Sequence, residues 1–100
     1  MDKSQKKLMR QQWREQQRAE ARAKLPLAPF QLRELFGMLK VELPQHGCDH
    51  TRRLTRDWLI ASDHDVESVL AWLDDNGGFC DCEVFSNSKQ YFEEAMRNAE

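Results

Sequence analysis

The sequence predicts a mainly α-helical domain, and three observations carry that reading. Leu, Val and Phe recur at helical spacing through the middle of the chain. Residues 2–24 are built from strong helix formers without Gly or Pro. Only one short stretch, 79–85, alternates as a strand would, which leaves a small α+β arrangement as the alternative. The expected architecture is a compact helical body with one short extended Cys-containing segment and a projecting basic N-terminal helix.

The first helix is expected over 2–24. Its only large apolar residues are Leu8, Met9 and Trp13, so little of it can be buried. Arg10, Arg14, Arg18 and Arg22 recur every four residues and lie along one slowly drifting face, with Lys6 and Lys7 nearby. Residues 1–24 hold eight Lys/Arg against three Asp/Glu, a net +5, whereas residues 25–100 hold seven against fourteen, a net −7. The chain therefore divides into a basic arm, 1–24, and an acidic body, 25–100. Such a split suggests an interaction arm, with nucleic acid the usual partner; the plain reading is a solvated helix that aids solubility. Trp13 then serves either as an anchor onto the body or as a contact with a partner.

Leu25-Pro26-Leu27-Ala28-Pro29 breaks the first helix, because proline lacks a backbone donor and disfavours helix in the residue before it. A second helix starts near Pro29 with Leu32, Leu35, Phe36 and Leu39 as its core face, and Pro44 and Gly47 are expected to end it. A third helix is expected over 51–61 with Leu54, Trp58 and Ala61 on one side. Ser62-Asp63-His64-Asp65 forms a break and a cap. A fourth helix follows over 65–75 with Val66, Val69, Leu70 and Leu73 inward, stopped by Asn76-Gly77-Gly78. After the extended segment 79–85, a last helix spans 88–98 with Phe92, Ala95 and Met96 inward.

Cys48, His50, Cys80 and Cys82 are the residues that carry chemistry. They form the pairs Cys-Asp-His and Cys-Asp-Cys, and they include every cysteine of the chain. Thiolate and imidazole are preferred zinc ligands, and four of them fill a tetrahedral site. Two ligands two residues apart on an extended segment face the same way, and a helical hairpin of the size of 51–75 returns its ends to one another. A closed shell of four makes the zinc structural. Were His50 to stand back, three cysteines would leave a position for water and a catalytic reading. His46, Asp49, Asp81 and Glu83 are the reserve ligands or the groups that orient the first four. Two other readings stand beside the metal. The cysteines could be small buried hydrophobes, which the interleaved acids Asp49, Asp81 and Glu83 oppose. They could instead form a redox pair, with Cys48 activated at a helix start.

Three cysteines exclude a complete disulfide framework. No apolar run nears the roughly twenty residues of a membrane span, and no apolar h-region follows the basic start. These features point to a cytoplasmic, reducing setting. The fourth helix carries Glu67, Asp74 and Asp75 and no Lys or Arg, so it cannot serve as a recognition helix against phosphates.

The residues Gly47-Cys48-Asp49-His50-Thr51, then Ala71-Trp72-Leu73 and Asp75 through Val84, resemble a family of small bacterial proteins, domain of unknown function 2695. The resemblance covers roughly 30–90. It implies no activity, substrate or ligand set; it supports a bacterial, cytoplasmic origin. Phe85 stands where members of the family often carry an aliphatic residue.

The functional expectation is a non-enzymatic, zinc-stabilised interaction module. Its arm, through Lys6, Lys7, Arg10, Trp13, Arg14, Arg18 and Arg22, contacts RNA or a ribonucleoprotein. The alternatives are a small metal- or thiol-dependent enzyme or redox sensor, and an adaptor whose arm docks an acidic protein. No membrane partner is expected.

Overall fold

In a computed structural model, which describes residues 2–99, the chain forms five helices and no strand among the described residues. α1 is Lys3–Ala23, α2 Pro29–His46, α3 Arg53–Ala61 and α4 Val66–Asp75. α5 is composite: a first turn Asp81–Glu83, a π-helical turn Val84–Ser88 and a last piece Lys89–Met96 follow one another without a break.

Local chemistry explains most of the boundaries. Asp2 caps α1 by accepting from the Gln5 N–H at 2.8 Å, and Asp65 caps α4 by accepting from the Ser68 N–H at 3.2 Å. Pro29 opens α2, and the Gln31 side chain reaches back 3.0 Å to the Ala28 N–H. Pro44 does not end α2, contrary to expectation. It sits on the exposed side of the last turn, where one lost hydrogen bond is tolerated. Gly47 (φ +71°) ends the helix, its N–H returning 2.8 Å to the Leu43 carbonyl.

The expected extended segment at 79–85 is corrected more thoroughly. Cys80 holds extended dihedrals, but helix begins at Asp81 and runs on through Phe85. The buried positions 81, 84, 88, 92 and 95 recur every three or four residues, a helical stripe. Two of them, Asp81 and Ser88, are polar, so the stripe does not show in hydropathy.

The core joins Leu32, Leu35, Phe36 and Leu39 of α2 to Leu59 of α3, Val69, Leu70, Trp72 and Leu73 of α4, and Val84 and Phe92 of α5. Leu32, Leu35, Leu39, Leu59 and Leu73 are fully enclosed. Cutting any of them to Ala costs about 2–5 kcal/mol, a large share of the ~5–15 kcal/mol that holds such a domain. Arg52 ties α3 to α4, with Nη1 2.8 Å from Asp74 and 3.3 Å from the Leu70 carbonyl.

α1 buries no residue. Its C-terminal half nevertheless lies on α5, where Arg18 pairs with Glu94 at 3.1 Å and Arg22 donates 2.8 Å to the Ala95 carbonyl. Leu25 and Leu27 pack against the core and fix the connection. The N-terminal half runs on past the body, giving a molecule 53 Å long and 24 by 22 Å across.

Candidate functional site

The thiols of Cys48, Cys80 and Cys82 are neighbours where the loop after α2 meets the start of α5. Cys48 is the hub. Its sulfur accepts from the backbone N–H of Cys82 and of His50, and it exchanges hydrogen bonds with the Cys82 and Cys80 thiols. The Cys82 N–H comes first among the effects that hold the Cys48 thiol below its ordinary value, against a smaller opposing effect of burial. The Cys80 thiol is pushed up, chiefly by burial and then by Cys48, although the N–H groups of Glu83 and Cys82 point to its sulfur. The Cys82 thiol is exposed and is raised chiefly by its hydrogen bond to Cys48. The shared hydrogen bonds thus favour the thiolate on Cys48 over one on Cys80 or Cys82.

Sharp backbone turns set this arrangement up. Gly47 and His50 both lie in the left-handed region, with φ +71° and +68°. For His50, a residue with a Cβ, that conformation carries strain, and such positions gather at functional sites. Asp49 stabilises the turn by accepting from the Thr51 N–H at 3.0 Å and the Thr51 hydroxyl at 2.5 Å. Thr51, first among its neighbours, holds the Asp49 carboxyl below the usual range, with Arg53 3.4 Å away adding to it.

The other acids and histidines are placed as follows. Asp81 is 1 % exposed and faces α3, not the thiols. Its Oδ2 accepts from the Leu54 N–H at 3.0 Å, and its Oδ1 accepts from the Thr55 N–H at 3.1 Å and the Thr55 hydroxyl at 2.8 Å. Its own N–H donates 2.9 Å to the Thr51 carbonyl. Asp81 thus caps α3 from a different helix, and its oxygens are taken. His46 lies at the end of α2, 2.9 Å from Glu42. His50 brings its backbone N–H to the cluster, and its imidazole is exposed. Glu83 is half-buried in the first turn of α5.

The donor chemistry suits zinc: three sulfurs, backbone N–H groups turned to two of them, and an imidazole on the same loop. As the side chains stand, however, no three His, Cys, Asp or Glu groups among the described residues surround one point as a metal site requires. The thiols meet in pairs through Cys48.

The arm is divided by the fold. Arg18 and Arg22 are engaged with α5, and Arg22 also lies 3.4 Å from Glu15. Lys3, Lys6, Lys7, Arg10, Gln11 and Arg14 line one groove further along α1. Trp13 stays 62 % exposed and does not anchor the arm in the core.

Two structural residues, Ser88 and Asn87, carried no clear sequence signal. Ser88 and Asn76 hydrogen-bond through their side chains and close the π turn onto the end of α4. Asn87 reinforces this with a 3.1 Å bond to the Gly77 carbonyl. The Asn-Gly-Gly stop was visible; its partner across ten residues was not.

The fold and site define a small all-helical protein with a cysteine cluster at a loop–helix junction and a basic leading helix. It belongs to the family described as protein of unknown function (DUF2695), whose model matches residues 35–87 and so spans both Cys motifs. Over 86 residues the chain is 29% identical to the uncharacterized protein Rv2271 of Mycobacterium tuberculosis, covering 86% of this chain and 87% of that protein. It is equally similar to the uncharacterized protein Mb2294 of Mycobacterium bovis. No solved structure matches. No helix among the described residues is long and apolar enough to cross a membrane.

Proposed function

We propose that this protein is a zinc-stabilised interaction module in which Cys48, Cys80 and Cys82, with His50, hold a structural ion and the arm contacts RNA or a ribonucleoprotein. The observation that carries the metal reading is the meeting of all three thiols at one junction with backbone N–H groups directed at their sulfurs. Zinc supplies a cross-link between the loop after α2 and α5 when bound; the reading assigns it no catalytic part. Closing the shell requires the thiols and the His50 imidazole to turn toward a common point. The metal content of protein purified without a histidine tag tests this. One zinc per chain is expected, lost in Cys82→Ser, with a lower melting temperature in strong chelator because metal binding is part of the folding free energy. Metal-free protein whose melting curve ignores chelator overturns it.

A thiol sensor is the second reading, and the lowered Cys48 thiol beside two others favours it. Oxidation of metal-free protein by peroxide to a disulfide joining Cys48 to Cys80 or Cys82, with loss of two hydrogens, would support that reading over zinc.

The charge of the arm supports the RNA part. Removing residues 1–16 spares Arg18 and Arg22, so the body stays folded while salt-sensitive association with RNA in lysate is lost. Association that survives nuclease points to an acidic protein partner instead.

A further inference from the structure

We propose that the face shared by α1 and α5 takes nucleic acid in single-stranded form, with bases stacking on Trp13 and Tyr91 and phosphates on the basic groove of α1. This rests on the RNA reading above and names the form of nucleic acid. Trp13, Arg14, Arg18, Tyr91 and Glu94 line an apolar cleft of about 300 Å³ between the two helices. Both aromatics are open to solvent, Trp13 at 62% and Tyr91 at 42%. Tyr91 is held in place by an edge-on contact with the buried Trp72, ring centres 6.0 Å apart. One part of Tyr91 is thus fixed in the body while the rest is exposed. Glu94 is the one carboxylate in the cleft, and it is offset by Arg18 at 3.1 Å and Arg97 at 3.3 Å.

Arg14 lines this cleft and the adjoining groove of Lys3, Lys6, Lys7 and Arg10, so cations and aromatics form one track. None of those five cations is in an ion pair among the described residues. A purely solvated arm has no use for an exposed indole over a cleft. Cations that follow a backbone, beside aromatic faces that accept any base, are the elements of single-strand binding. A duplex keeps its bases stacked inside and cannot use the aromatics. An acidic peptide would use the cations and leave the stacking faces idle.

Fluorescence anisotropy with labelled oligouridylate of about twelve nucleotides, a duplex of the same length and a polyglutamate peptide tests the proposal on the full chain. The single strand should bind best. Trp13→Ala should weaken it about 5- to 150-fold with an unchanged salt slope, and Trp13→Phe should recover most of the loss. Reversing Lys6, Lys7 and Arg10 to Glu should lower affinity and flatten the salt slope. All these residues are exposed on a helix that buries nothing, so the variants fold. If the charge reversal abolishes binding while Trp13→Ala changes nothing and duplex binds equally well, the stacking proposal fails and the RNA reading survives. No binding to either nucleic acid sinks both, and preference for polyglutamate points to a protein partner and overturns the proposal.

Discussion

Replacing Asp81 with Ala should be among the most damaging single changes on the surface of contact between α3 and α5. The carboxylate makes three hydrogen bonds at 2.8–3.1 Å and is 1 % exposed. Losing a helix cap costs about 0.5–2 kcal/mol. Thr55 is fully buried, so its N–H and hydroxyl would lose their partner where water cannot replace it, at about 1–3 kcal/mol each. These losses overlap, and a total of about 3–4 kcal/mol is expected. For a domain of this size that lowers the melting temperature by about 12–30 °C. Asp81→Asn keeps one acceptor oxygen and should lose roughly half as much. The measurement is urea unfolding followed by circular dichroism, made once in chelator and once with zinc. The loss should appear in both, because the carboxylate acts on α3. A loss under about 1 kcal/mol, or one seen only with zinc present, refutes the capping argument and returns Asp81 to the thiol cluster.

Three further outcomes are expected. Gly78→Ala should cost about 1–3 kcal/mol, since a Cβ there runs into the Ser88 hydroxyl and lies 3.2 Å from Leu73 and Val84; adding Ser88→Ala should return part of the loss, measured by the same unfolding. In metal-free protein, iodoacetamide near neutral pH should label Cys48 ahead of Cys82 although Cys82 is more exposed, and peptide mapping reads the order. Because the Cys48 thiol is lowered, its thiolate should persist below the ordinary thiol range and its labelling fall away only as pH drops through that lowered value; equal labelling of all three thiols would count against the hub.

Periodicity alone placed α2 and α4, because Leu32, Leu35, Phe36 and Leu39, and Val66, Val69, Leu70 and Leu73, are apolar positions whose spacing already states which side is inside. The charge split between arm and body was equally legible, since it depends on residue type and not on partners. Of the four expected ligands the fold makes neighbours of the Cys48, Cys80 and Cys82 thiols, while His50 joins them only through its backbone N–H. The turn at Asp81 was not. Phe79 to Phe85 alternates like a strand, and the helical stripe beneath it runs through Asp81 and Ser88, which are buried only because Thr55 and Asn76 receive them from other helices. A polar residue's burial depends on a partner far along the chain, so no local pattern can report it. The arm shows the same limit. Arg10, Arg14, Arg18 and Arg22 are alike in sequence, and only the docking of α1 on α5 separates the two held by Glu94 and the Ala95 carbonyl from the two left along the groove. Residue type determines what a side chain can bond; the folded chain determines which bond it makes.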